Sequence, residues 1–347
     1  MRFRSTAVAA LAVAASLALT ACSKPTSTVN ADITPDGPPV TLNLVGYAVP
    51  EAAHTAVAAE WAKTSAGVNV TFKTSYGASG DQSRAVVNGL AADIVHFSVE
   101  SDVTRLVDAG LVAPTWKDNP TKGILSSSVV VIGVRKGNPK NIQGWDDLVK
   151  PGIGIVTANP ASSGAARWNA LAAWGQVIAN GGTEEQAYEF VSKLYNNAVA
   201  LPGSGRDTTT AFLGGAGDVF LTYENEAILA NQSGEDIDWI YPDTTLRIEN
   251  PAAVTVNAPP KAQAYLDFAL SPAGQRAFAQ KGFRPVVSGV DITGITGVKD
   301  PSNPFPEIKK LLTVDDDFGG WAALTKKFFD SKTGIIVQII AATGKAQ

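Results

Sequence analysis

The residues of this sequence best suited to chemistry are uncharged. Four apolar runs end in turns rich in glycine and hydroxyl or amide side chains. Residues 68–74 lead into Ser75-Tyr76-Gly77-Ala78-Ser79-Gly80-Asp81, and residues 153–157 into Asn159-Pro160-Ala161-Ser162-Ser163-Gly164-Ala165-Ala166-Arg167. Residues 199–201 lead into Gly203-Ser204-Gly205-Arg206, and residues 219–222 into Tyr223-Glu224-Asn225-Glu226. Each turn precedes a stretch that reads as helix. The first turn of a helix has unpaired N–H donors and carries roughly half a positive charge. Glycine lets a ligand approach the backbone, and hydroxyls add donors that rotate to suit. Several such ends aimed at one point would hold an oxyanion without a formal positive charge. The same residue types are also the commonest caps and turns, so no single junction decides the matter.

Other chemistries fare worse. None of the glycine-rich turns fits the dinucleotide fingerprint or the phosphate-binding loop. A serine hydrolase built on Ser79 or Ser163 needs a base, and His54 and His96 are the only two histidines. His96 lies in the apolar run Ile94-Val95-His96-Phe97 and reads as a core or cleft-lining residue. One cysteine removes intramolecular disulfides and cysteine-based metal sites, and no metal or cofactor is implied. Carboxylates are plentiful, but no spacing singles out a hydrolytic pair. The net charge of −4 excludes a basic nucleic-acid footprint and gives an anion no long-range attraction. Nothing in the sequence speaks for an adhesin or scaffold.

The elements that must position these turns follow from the pattern of the chain. With 347 residues, of which 45% are hydrophobic, two domains and a sizeable core are expected. Strands at 40–45, 68–74, 153–157, 199–201 and 219–222 alternate with helices, the first over 51–65, which argues for an α/β fold with largely parallel sheets. Arg2 and Arg4 precede an uncharged run to Ala21, the pattern of a signal peptide. The run ends in Leu19-Thr20-Ala21-Cys22, which resembles a bacterial lipobox and implies lipidation of Cys22 after removal of residues 1–21. Loss of the two arginines leaves the mature chain two units more negative. Residues 22–39, rich in Ser, Thr, Pro and Asp, read as a flexible tether. The apolar tail 334–342 is too short to span a bilayer and is expected to close a core.

Taken together, the segments resemble the prokaryotic sulfate-binding proteins, extracytoplasmic receptors of sulfate and thiosulfate ABC importers. The resemblance rests on the Ser75–Ser83 and Asn159–Asn169 motifs, with Val134-Arg135-Lys136-Gly137-Asn138-Pro139-Lys140, Trp145-Asp146-Asp147-Leu148, Leu171-Ala172-Ala173-Trp174-Gly175 and Phe318-Gly319-Gly320-Trp321 as flanks. It implies a type II periplasmic-binding-protein fold of two lobes with a ligand cleft between them. Lobe 1 is expected at 40–128 plus 245–345 and lobe 2 at 129–244, with hinges at 126–131 and 243–253. It also implies that Ser79 and Gly80 from lobe 1, with Ser163, Gly164, Ala165, Gly205 and Tyr223 from lobe 2, donate hydrogen bonds to the anion. Ala165 stands where the family often has Gly, and Tyr223 where sulfate receptors often carry a Trp, which blurs the choice between sulfate and thiosulfate.

Sulfate at neutral pH accepts hydrogen bonds and has no proton to donate. A donor-only cleft suits it, and hydrogen phosphate would leave its O–H unpaired there. Asp81 and Asp207 could supply that missing acceptor; they are expected instead to cap helices or pair with Arg84, Arg167 or Arg206, behind the ligand shell. The expected partners are therefore sulfate or thiosulfate, the permease subunits of an importer, and a membrane reached only through the lipid anchor. The body is expected to be monomeric and to face the periplasm or cell envelope. Phosphate, molybdate and tungstate are the rival ligands.

Overall fold

The computed structural model describes residues 33–345. The expected signal peptide, Cys22 and the first part of the tether lie outside those residues. The chain enters through β1 (Val40–Tyr47), α1 (Glu51–Trp61), β2 (Val70–Gly77), α2 (Ser79–Val87), β3 (Ile94–His96) and α3 (Glu100–Asp108). It leaves this lobe along β4 (Ile124–Arg135) and builds α4 (Trp145–Leu148), β5 (Ile155–Val156), α5 (Gly164–Ala179), α6 (Glu184–Asn196), β6 (Ala198–Ala200), α7 (Gly205–Leu213), β7 (Val219–Tyr223), α8 (Glu224–Gln232) and β8 (Ile237–Ile240). It returns along β9 (Thr244–Val254) and finishes with α9 (Pro260–Ala269), α10 (Pro272–Ala279), β10 (Lys310–Leu312), α11 (Val314–Phe318), α12 (Trp321–Phe329) and α13 (Ile335–Ala342).

The strands join in the order β2-β1-β3-β9-β4-β7-β5-β6, with β10 on β9 and β8 on β4. Within each lobe the pairs β1–β2, β1–β3, β5–β6 and β5–β7 are parallel. The sheet is nevertheless mixed, because β4 carries the chain out and β9 carries it back. These two strands pair antiparallel from Ile124 opposite Pro251 to Val129 opposite Arg247. The outer half of β9 pairs with β3, and the outer half of β4 pairs with β7 and β8. Two long strands therefore run through both lobes, over the stretches expected as hinges.

Local sequence accounts for the framework. β1 is flanked by a strand on each side and is almost wholly buried after its first residues. α6 starts in a capping box, Thr183 Oγ1 accepting from the Gln186 N–H at 3.3 Å and Gln186 Oε1 from the Thr183 N–H at 2.8 Å. In contrast, α2, α5 and α8 begin without any side-chain cap.

Two stretches have contacts beyond those expected of them. The last helices also reach the second lobe: α13 lies on α6, Trp321 of α12 meets Trp168 of α5 edge-on at 4.9 Å, and Phe328 meets Trp174 at 5.1 Å, while α12 packs on α3 of the first lobe as well. The apolar tail does close a core, through buried Ile336, Ile339 and Ile340, on the side of α6. The end of the expected tether is fastened down rather than free. Asp36 donates its N–H to the Ser65 carbonyl and pairs with Lys261, and Asn69 Nδ2 donates to the Gly37 carbonyl at 2.6 Å.

A side chain at Gly133 on β4 would be blocked by its neighbour across the ladder, since an added Cβ would stand 1.9 Å from the Phe220 ring. That ring is stacked on Phe212 at 4.2 Å and cannot retreat freely. Gly133→Ala is expected to lower unfolding free energy by about 1–3 kcal/mol, as overpacked cores do, measured by urea denaturation.

Candidate functional site

The turns singled out in the sequence meet between the lobes. Gly80, the second residue of α2, donates its N–H to the Ser162 carbonyl just before α5, at 3.0 Å. A Cβ added at Gly164, the first residue of α5, would come 2.3 Å from Ser98 Oγ. One added at Gly205, the first residue of α7, would come 3.0 Å from the Ala165 Cβ and 3.2 Å from Val49. The Tyr223 hydroxyl, at the start of α8, lies 2.6 Å from Ser98 Oγ. Four helix starts thus converge on one small region. Glycine is required at 164 and favoured at 205 by close approach, since neither has a positive φ.

Ser98, which the sequence reading missed, sits at the centre. It is 1% exposed. Its N–H donates to Ser79 Oγ at 2.9 Å, and its carbonyl accepts from Trp168 Nε1 and Asn250 Nδ2, both at 2.9 Å. Tyr47 was missed too. Its buried hydroxyl has no hydrogen-bond partner among the described residues, and its ring lies 6.3 Å from that of Tyr223. Ser98 follows a short apolar strand and Tyr47 ends one, so both read as structural in the sequence alone.

The individual expectations fare differently. Ser79 is buried at the start of α2, but its hydroxyl donates to Asp102 Oδ2 at 2.6 Å rather than into the cleft. The Gly80 N–H is engaged with Ser162. Ser163 is buried and precedes the uncapped first turn of α5, which holds Gly164 and Ala165. Burial pushes the Tyr223 phenol well above its ordinary value, so it remains a neutral hydroxyl.

Charged groups stand behind this region. Asp81 pairs with Arg84 on the surface, and Asp207 accepts from the capping Ser204 Oγ at 2.7 Å. Arg206 makes two bonds to Glu226, at 2.9 and 2.8 Å, and a third to the Val49 carbonyl at 3.2 Å. Arg167 has no carboxylate partner among the described residues. It donates to the Pro160 carbonyl and, across the lobes, to Ser101 Oγ at 3.1 Å, so the salt link expected of it is replaced by neutral bonds. The carboxylate nearest Ser79 is Asp102, which the sequence did not flag. Its other oxygen accepts from Arg105 at 2.9 Å.

The histidines form no triad with these serines. His54 Nε2 lies 2.8 Å from His96 Nδ1, and His54 Nδ1 lies 2.8 Å from the Tyr265 hydroxyl. His96 Nε2 is 3.2 Å from Ser126 Oγ, and neither ring is bonded to Ser79 or Ser163. Among the described residues, no three His, Cys, Asp or Glu side chains gather as a metal cage, and no helix is long and apolar enough to cross a membrane.

Fold and site together define a two-lobed solute-binding protein. AfuA of Actinobacillus pleuropneumoniae, a periplasmic binding protein, shares the fold at a TM-score of 0.66 and 18% identity, over 88% of this chain and 99% of that one. The family model of bacterial extracellular solute-binding proteins matches residues 42–284. The sulfate-binding protein of Synechococcus elongatus is 42% identical over 333 residues, 92% of each chain. The thiosulfate-binding protein of Escherichia coli is 34% identical over 284 residues, 78% of this chain and 82% of its own. Among solved structures, the sulfate-binding protein SubI from Mycobacterium tuberculosis superposes with a TM-score of 0.78 at 42% identity, covering 84% of this chain and all of that one. The chain belongs to the bacterial extracellular solute-binding proteins and, within them, to the sulfate-binding protein family.

Burial lowers the His54 pKa to about 3 and holds His96 well below its usual value, where the neighbouring His54 acts in the same direction. Unfolded histidine takes up its proton near pH 6.5, as reference values indicate. Stability from this pair is complete above that value and lost as pH falls toward the folded values. Urea unfolding between pH 7 and 5 is expected to show stability falling with acidity, with these histidines contributing up to about two protons per molecule. His54→Gln should make the slope shallower.

Proposed function

We propose that this protein is an extracytoplasmic receptor that captures sulfate in the cleft between its lobes and delivers it to an ABC importer. The observation that carries the reading is the convergence of the uncapped starts of α2, α5 and α8 with that of α7 around Ser98 and Tyr223, while the nearby arginines bond to the protein itself. The anion-facing residues in this reading are Ser79, Gly80, Ser163, Gly164, Ala165, Gly205 and Tyr223. The Gly80 N–H exchanges the Ser162 carbonyl for a guest oxygen, and Ser79 contributes its N–H. The first turn of α5 supplies oriented donors that replace the water stripped from the anion. Closure of the lobes then presents a shape that an importer recognises. The lipobox ending at Cys22 supports a lipid anchor on the outer face of the cell membrane, and the folded body works as a monomer.

Thiosulfate is the second reading. It is favoured by the thiosulfate-binding relative and by Tyr223, whose hydroxyl is engaged with Ser98. Hydrogen phosphate fits less well, because the Asp102 carboxylate is already occupied by Ser79 and Arg105.

Titration calorimetry with sulfate, thiosulfate, phosphate and molybdate is expected to give tight binding to the sulfur oxyanions alone. Ser163→Ala should weaken sulfate binding by about 1–3 kcal/mol. Tight phosphate binding without sulfate binding would overturn the reading.

A further inference from the structure

We infer that Ser98 supplies to the anion site a hydroxyl donor that Ser79 cannot. The inference rests on the receptor reading and deepens it. The Ser79 hydroxyl has one proton, and that proton is directed at Asp102 Oδ2, 2.6 Å away. Its oxygen accepts from the Ser98 N–H at 2.9 Å, so it is held from both sides. It is anchored as part of the wall, and it has no proton left for a guest.

Ser98 has the opposite arrangement. Its backbone is held by three bonds: the N–H to Ser79, and the carbonyl to Trp168 and Asn250. Those bonds place Ser98 Oγ beside Gly164, the first residue of the uncapped helix α5. Among the described residues, the only partner of its hydroxyl is that of Tyr223, at 2.6 Å. One proton lies between the two oxygens, and two hydroxyls carry two. A phenol is a stronger acid than an alcohol and is the better donor to it, so Tyr223 donates to Ser98 and leaves the serine proton for a third acceptor. At the start of α5 that acceptor is an anion oxygen. The helix N-terminus favours the same negative charge, so Ser98 and the α5 N–H groups act on one point. Rigid backbone bonds also mean that little conformational freedom is lost when the guest binds. Tyr223 thereby acts on the anion through Ser98, as a positioning residue.

The test is calorimetric titration of sulfate into the protein and into Ser98→Ala, Tyr223→Phe and the double variant. The alanine keeps the backbone bonds of residue 98 and removes only the hydroxyl. Ser98→Ala is expected to weaken binding ten- to a hundredfold. Tyr223→Phe should weaken it less, and the double variant should match Ser98→Ala within about twofold, because both changes act through one donor. Thermal unfolding without sulfate checks that each variant is folded; if Ser98→Ala is not, Ser98→Cys, nearly isosteric but a weak donor, should show the same loss. Binding by the unaltered protein together with full affinity in a folded Ser98 variant would overturn the inference and leave the receptor reading standing. Losses that add in the double variant would overturn the route through Ser98. Absence of sulfate binding by the unaltered protein would overturn the receptor reading itself.

Discussion

A doubly charged anion taken from water into a closed cleft loses a large hydration energy, and dipoles fixed in advance must replace it. This constraint explains why a region with arginines at its edge does not aim them inward. Arg206 is committed to Glu226 and the Val49 carbonyl, Arg84 to Asp81, and Arg167 to a carbonyl and a hydroxyl. What points inward instead is the uncapped beginning of α5, the glycines that let it approach, and a serine and a tyrosine from opposite lobes. Neutral donors of this kind distinguish an anion without a proton from one that carries one, which a bare positive charge would not do.

The fold serves that arrangement. Because β4 and β9 run through both lobes as a paired ribbon, these two crossings are made by strands and not by loose loops. The hydrogen bonds across the cleft are single ones: Gly80 to Ser162, Ser98 to Tyr223 and Trp168, Arg206 to Val49, Arg167 to Ser101. Each is modest in net worth, about 1 kcal/mol for a typical bond. A handful of such bonds can be exchanged for bonds to a guest at little net cost, which suits a jaw that opens and closes. The buried polar line from Tyr265 through His54, His96 and Ser126 to Asn250 ends at the Ser98 carbonyl, so the lobe 1 face of the cleft is backed by a hydrogen-bonded core.

Much of this was legible in the sequence, because it is written locally. The four turn-and-helix junctions and the alternation of strand and helix are short-range patterns, and the helix starts they announce do meet. What escaped depends on long-range pairing. The direction of the Ser79 hydroxyl is set by Asp102, twenty-three residues on. The role of Ser98 comes from Tyr223, 125 residues away, and from Trp168. The C-terminal helices follow a chain that has returned to lobe 1, yet the aromatic faces of Trp168 and Trp174 give α12 a seat on the second lobe besides its packing on α3. Likewise, a stretch with tether-like composition is pinned by Ser65, Asn69 and Lys261, none of which its own sequence reveals.

The most direct measurement of binding by neutral dipoles is the number of protons exchanged when sulfate binds, obtained by calorimetry at constant pH in buffers of different ionisation enthalpy. If the anion is held only by N–H and O–H groups, with His54 and His96 buried and neutral, the count between pH 6 and 8 is zero. Uptake of about one proton per sulfate would mean that a histidine or a carboxylate changes charge to receive the guest, and would contradict the account.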